Sequence, residues 1–129
     1  ARTNCLGCHV EQKLTPKGAK VMTASGKMCV RCHTKDHDKM LEDWKVEVAK
    51  NVKEAQEVEQ EALEALAEHK AKLSKDNLAK AHDMLKQGRE DLGIVQFGNG
   101  VHNKKYAIML IDAAITGFED MIDYLEEGE

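Results

Sequence analysis

The arrangement of apolar residues changes character near Asp38. Residues 39–73 contain no Gly or Pro, and apolar side chains recur at Leu41, Trp44, Val48, Val52, Ala55, Val58, Ala62, Leu66 and Leu73. Steps of mainly three and four residues mark one face of a long amphipathic helix with a coiled-coil-like seam. Such a helix would reach about 50 Å at 1.5 Å per residue, and its stripe needs partners to cover it. Ser74-Lys75-Asp76-Asn77 interrupts the pattern and offers a new N-cap. A second helix is expected over about 76–97, with Leu78, Ala81, Leu85, Leu92 and Val95 on one face. Gly88 and Gly93 either weaken it or admit a close neighbour. Gly98-Asn99-Gly100 ends it. A third helix is expected over about 103–126, its stripe formed by Tyr106, Leu110, Ala113, Gly117, Phe118, Met121 and Leu125. Short connections imply antiparallel neighbours, hence a helical hairpin over 39–97 with the third helix packed alongside.

Residues 1–38 show no such period. Thr15-Pro16-Lys17-Gly18 and Ala24-Ser25-Gly26-Lys27 are turn-like, and the segment is expected to be mostly irregular. Its apolar content is too low for a core of its own. The expected fold class is all-α: an N-terminal segment, residues 1–38, followed by a helical bundle, residues 39–129, as a single domain. One Pro, one Trp, two Tyr and two Phe argue against a turn-rich β-sandwich. A net charge of −4 argues against a nucleic-acid partner. No apolar run approaches the roughly 20 residues that span a membrane, and no signal peptide is recognisable.

The N-terminal segment carries the candidate chemistry. It holds Cys5-Leu6-Gly7-Cys8-His9 and Cys29-Val30-Arg31-Cys32-His33, two copies of C-x-x-C-H that use all four cysteines of the chain. This pattern reads as a c-type haem attachment site. Each cysteine forms a thioether to one haem vinyl group, and the histidine that follows places its imidazole on the iron. Two complete copies predict two covalently attached haem c groups, held by Cys5, Cys8, Cys29 and Cys32 with His9 and His33 as metal ligands. A porphyrin is a large apolar plate, so a haem pair would supply the core that the segment lacks. Three other readings are weaker. Four thiolates could hold zinc, but each following histidine is then unexplained. C-x-x-C disulfides close only tiny loops and are poor staples. A thioredoxin-like motif needs a βαβ context, and no convincing strand pattern is present.

A low-spin electron-transfer haem takes a second axial ligand, and His37, His69, His82 and His102 remain. His102, in the Gly-rich stretch before the third helix, is the best candidate, because a returning hairpin would bring that loop back toward the haems. His37 follows His33 by four residues, one helical turn if this stretch is helical, and would then lie on the same side, where it cannot ligate the iron that His33 holds; it could reach an adjacent haem or stay solvated. His69 lies about 50 Å beyond His33 along a straight helix, and packing is the simpler role for it and for His82. Met40, Met84, Met109 and Met121 read as core filler. Met22 and Met28, between the motifs, are not favoured as ligands.

The stretch CVRCHTKDHDKMLEDW, from Cys29 to Trp44, followed by a long helix and by QFGNGVHNKKY, from Gln96 to Tyr106, resembles the C-terminal part of bacterial multihaem c-type cytochromes, relatives of the pentahaem cytochrome c nitrite reductase group. The resemblance spans nearly the whole chain. It implies C-x-x-C-H pairs ahead of a long-helix bundle, and it implies that His102 is the distal ligand of the haem on Cys5, Cys8 and His9. The sequence departs from that group in two ways. The reductases' catalytic haem uses C-x-x-C-K, and neither motif here has the lysine, so no catalytic residue is assigned. The reductases also supply the last haem's distal histidine from upstream of the penultimate motif, and none of residues 1–4 is His. The ligand for the His33 haem would therefore come from His37, from another chain or from nowhere.

The expected function is electron transfer by a dihaem c-type cytochrome with bis-His haems, rather than enzymatic turnover, as part of a larger multihaem assembly. The alternative is a haem with an open axial site that reduces or senses nitrite, NO or oxygen. Expected partners are redox proteins, other multihaem subunits or further copies of the chain. Haem c is attached outside the cytoplasm, so a periplasmic or extracellular location is expected, with the chain processed or excised from something larger.

Overall fold

The computed structural model of the chain describes residues 5–98 and 100–127; Asn99, part of the expected stop after the second long helix, lies outside them. The order of elements is α1 (Cys5–Cys8), β1 (His9–Leu14), β2 (Lys20–Ala24), α2 (Gly26–Cys29), α3 (Asp36–His69), α4 (Lys75–Gly98) and α5 (Lys104–Glu127). The fold is mostly helical, as expected, with three long helices packed together and one small two-stranded sheet. Contacts divide the chain into two compact units, Ala1–Trp44 and Lys45–Glu129. Among the described residues, no helix is long and apolar enough to cross a membrane.

The second unit has one continuous core. Val48, Ala55, Ala62 and Leu66 of α3 meet Ala81, Leu85, Leu92 and Val95 of α4 and Ala107, Ile111, Ala114, Phe118, Met121 and Leu125 of α5. Small residues in the seam let the helices approach closely. A Cβ on Gly88 of α4 would collide with the Phe118 ring of α5, lying 2.8 Å from its Cζ. The close-neighbour reading of Gly88 is therefore the operative one. Across the rim, Arg89 Nε donates to Glu59 at 2.6 Å, Lys104 Nζ to Glu47 at 2.8 Å, and the Lys80 ammonium sits 4.2 Å from the Tyr124 ring centroid. Exposed pairs of this kind contribute at most about 1 kcal/mol each, so the apolar seam dominates.

Two details differ from the reading of the sequence. α3 ends at His69, not at residue 73. The Ser74 hydroxyl accepts the Asn77 amide at 3.1 Å and so caps α4. Leu73 and Leu78 then occupy the two positions of a hydrophobic staple, and both pack against the core. Leu73 thus serves the stripe from the turn rather than from the helix. In α5 the buried face begins at Ala107, Ile111 and Ala114, one residue on from the expected Tyr106, Leu110 and Ala113; Tyr106 is half exposed. The run Ile108-Met109-Leu110-Ile111 is apolar on every face, so the period alone did not select the inward one. Packing selects the face whose alanines admit neighbouring helices.

The first unit contains a β-hairpin where irregular chain was expected. β1 and β2 pair antiparallel, from Leu14 with Lys20 to His9 with Ala24, with an irregularity between His9 and Glu11. The turn explains it. Pro16 fixes the bend, Gly18 adopts a φ of 79°, and the Gly18 amide donates to the Thr15 carbonyl at 2.8 Å. The Thr15 amide donates to the Ala19 carbonyl at 2.8 Å, and the Thr15 hydroxyl accepts the Ala19 amide at 3.0 Å. The strands escaped notice because both faces are largely exposed, which removes the alternation of apolar and polar residues that marks a half-buried strand.

Candidate functional site

Both C-x-x-C-H motifs lie in the first unit, and each is wound into a turn. In the first, Cys5 and Cys8 open and close the single turn α1, so their side chains share one side. His9 then starts β1. In the second, Cys29 ends α2, and its carbonyl accepts the amides of Cys32 at 3.2 Å and His33 at 3.0 Å. The turn brings the backbones of all three motif residues together. No disulfide joins the four cysteines; Cys5 and Cys32 are exposed, Cys8 and Cys29 half-buried.

His9 has a defined orientation. Its Nδ1 lies 3.0 Å from the carbonyl oxygen of Met22 on the paired strand. Only a protonated Nδ1 can donate to a carbonyl, so the neutral ring carries its lone pair on Nε2. This is the arrangement of a metal-ligating imidazole whose other nitrogen is held by a backbone acceptor. The hairpin supplies that acceptor, which is why the sequence alone did not point to residue 22. The signal was Thr15-Pro16-Lys17-Gly18, the turn that brings β2 back alongside β1.

The second motif is fixed to the hairpin and to the start of α3. The Thr23 hydroxyl donates to the Glu11 carbonyl at 3.1 Å, and the Ser25 hydroxyl donates to the Glu11 carboxylate. Gly26 is buried against α3: a Cβ there would lie 2.8 Å from the Cα of Asp38. Just beyond the motif, His37 stacks on His33, with ring centroids 4.4 Å apart and planes 18° apart, and Thr34 Oγ1 lies 3.1 Å from His37 Nδ1. His37 therefore sits on the same side as His33.

Apolar side chains surround these turns without a core. Leu6 is 72% exposed, Leu14 66% and Met22 48%. Among the described residues of this unit, Gly26 alone is buried. The donors fit haem c: two thiols and an imidazole at each turn, an oriented ring at His9, and uncovered apolar surface beside it. Among the described residues, no three His, Cys, Asp or Glu side chains converge as a metal-ion site.

His102 belongs to the second unit. It precedes α5 in a turn held at both ends. Gly100 has a φ of 62°, and a Cβ there would lie 2.7 Å from Cγ1 of Val48. Asn103 caps α5, its side-chain oxygen accepting the Tyr106 amide at 3.1 Å. His102 itself is exposed, at the edge of a pocket of about 130 Å³ with Gly100, Asn103 and Tyr106. His69 is half-buried in the last turn of α3, and His82 is exposed on α4. Met121 is core filler, as expected, and Met84 packs against the core; Met109 is 57% exposed, contrary to that expectation.

No family model, curated protein or solved structure matches the chain.

Proposed function

We propose that the chain is a dihaem c-type cytochrome that passes single electrons outside the cytoplasm, within a larger multihaem assembly and to redox partners. The observation that carries this reading is the pair of C-x-x-C-H turns, which use every cysteine and lie in a unit whose described residues form no hydrophobic core. Each cysteine thiol would add across a haem vinyl group: a C–S bond forms, the thiol hydrogen passes to the neighbouring vinyl carbon, and no oxidant is consumed. Cys5 and Cys8 would hold one haem and Cys29 and Cys32 the other. His9 and His33 would each present a ring nitrogen to an iron, His9 with its Nδ1 proton held by Met22. When bound, haem supplies one-electron exchange between ferric and ferrous iron. The exposed Leu6, Leu14 and Met22 offer the plates apolar cover.

The test is a pyridine haemochrome of the denatured protein. Two covalent haems per chain are expected. One haem, or none with bound zinc, overturns the reading.

The resemblance of residues 96–106 to multihaem cytochromes makes His102 the distal ligand of the His9 haem in this proposal. The Gly100 and Asn103 anchors give its turn a defined geometry. His102→Ala should leave both haems attached, convert one to high spin and create new binding of CO or cyanide. An unchanged spectrum assigns that ligand elsewhere.

A second reading rests on His37. Stacked on His33, it does not serve the opposite face of the iron that His33 would hold. That haem then has an open site for nitrite, NO or oxygen unless another chain closes it. A high-spin component in the oxidised wild-type spectrum favours this reading, and a wholly low-spin spectrum favours electron transfer.

A further inference from the structure

α4 turns one face into the core and leaves another outward. The outward face is a shallow groove of about 1020 Å³ whose described lining residues, His82, Leu85, Lys86, Arg89, Glu90, Gly93, Ile94 and Phe97, all belong to α4. Phe97 is 92% exposed and Ile94 55%. Packing within the chain does not require a glycine at 93: an added Cβ would meet only Phe97, at 3.9 Å. The groove therefore has a flat spot beside two large apolar side chains. The surface continues onto α5, since Ile94 also borders the pocket that contains Tyr106.

Any stripe of three-four spacing maps its positions onto themselves when two copies run antiparallel. Here the chemistry maps as well. A twofold axis midway between Arg89 and Glu90 sets Arg89 against Glu90, Lys86 against Gly93, Ile94 against the outer edge of the largely buried Leu85, and His82 against Phe97. Opposite charges meet at the centre, the long Lys86 side chain lies over the residue that has none, and apolar or aromatic groups meet toward the ends. A parallel pair would instead set Arg89 against Arg89 and Lys86 against Lys86.

We propose that this face pairs α4 antiparallel with α4 of a second copy of the chain, in an isologous contact centred between Arg89 and Glu90. The Arg89 Nε already donates to Glu59 of its own α3, and a guanidinium has five donors in all, so its terminal nitrogens can serve a second carboxylate. Among the described residues, the Glu90 carboxylate has one long ion-pair contact, 3.8 Å to Lys86. Opposed helix dipoles add to the antiparallel preference. The strip is roughly 22 Å long and one helix wide. That places the contact below the standard specific interface of roughly 1,200 Å² or more, among weak and transient ones, so a reversible association is expected. The inference rests on residues of the second unit alone.

Sedimentation velocity on the intact protein, from about 1 to 500 μM, tests it. A concentration-dependent monomer–dimer equilibrium is expected. Ile94→Glu, on the exposed face, should weaken association by about tenfold or more. Glu90→Arg should do the same by facing two cations across the axis. Adding Arg89→Glu to Glu90→Arg should restore association, with helicity checked by circular dichroism because Arg89 also pairs with Glu59; should that double variant not fold, Ile94→Glu and Glu90→Arg decide. A monomer throughout the range overturns the proposal. So does a dimer that neither Ile94→Glu nor Glu90→Arg weakens, since it would use another face.

Discussion

The described residues of 45–129 bury fourteen hydrophobic side chains, while the described part of residues 1–44 buries none and hides only Gly26. Both units have defined turns and hydrogen bonds. The difference lies in what offsets chain entropy, about 1–2 kcal/mol per ordered residue. In the helical unit, apolar burial does so. In the N-terminal unit, the visible ties are hydrogen bonds such as Thr23 to Glu11 and Ser25 to Glu11. Each is worth about 1 kcal/mol net, too little to order the segment alone. On the haem proposal the cofactor would be the core that the described part of this unit lacks, and the chain itself would specify turns, caps and the orientation of His9 while leaving the largest apolar contribution to the bound group.

The strongest expected effect falls on the helical unit. Phe118 is fully buried and fills the space that Gly88 leaves. Phe118→Ala should cost about 3–5 kcal/mol, read by thermal or denaturant unfolding of the helices. The haem count should not change, because no attachment residue lies in that unit. Loss of covalent haem in a variant that still folds would mean that the two units do not divide the work in this way.

A smaller effect joins the two halves of the comparison. Asn103→Ala removes the cap of α5 and should cost about 1 kcal/mol. The same change frees one end of the turn that carries His102. If His102 ligates the His9 haem, a fraction of that haem should become high spin in Asn103→Ala, though less than in His102→Ala. A stability loss with an unaltered spectrum separates the cap from the ligand.

The two units were also unequally legible in the sequence. Helices were readable because Val48, Ala55, Ala62 and Leu66, or Ala81, Leu85, Leu92 and Val95, repeat the period of the structure they form. Where apolar residues crowd several faces, as at Ile108 to Ile111, the pattern left the inward face ambiguous by one residue. In the N-terminal unit the two C-x-x-C-H motifs stood out as candidate chemistry. The hairpin did not, because strands exposed on both faces carry no alternation; its mark was the turn at Pro16 and Gly18. The Met22 carbonyl that orients His9 was invisible for a simpler reason: a backbone acceptor has no residue signature. The stacking of His37 on His33 does not come from helical spacing, because residues 33–35 precede α3; it is set by the turn at Thr34, whose carbonyl accepts the His37 amide at 3.1 Å.

The central claim is that haem supplies the core of the N-terminal unit and of no other part. Amide hydrogen exchange tests it most directly, comparing the haem-loaded protein with a variant in which Cys5, Cys8, Cys29 and Cys32 are all Ser. The account predicts slow exchange for the ladder amides of β1 and β2 only when haem is attached, with amides of α3 beyond Lys45, α4 and α5 equally protected in both proteins. Protection of β1 and β2 in the four-serine variant, equal to that in the haem-loaded protein, would contradict it.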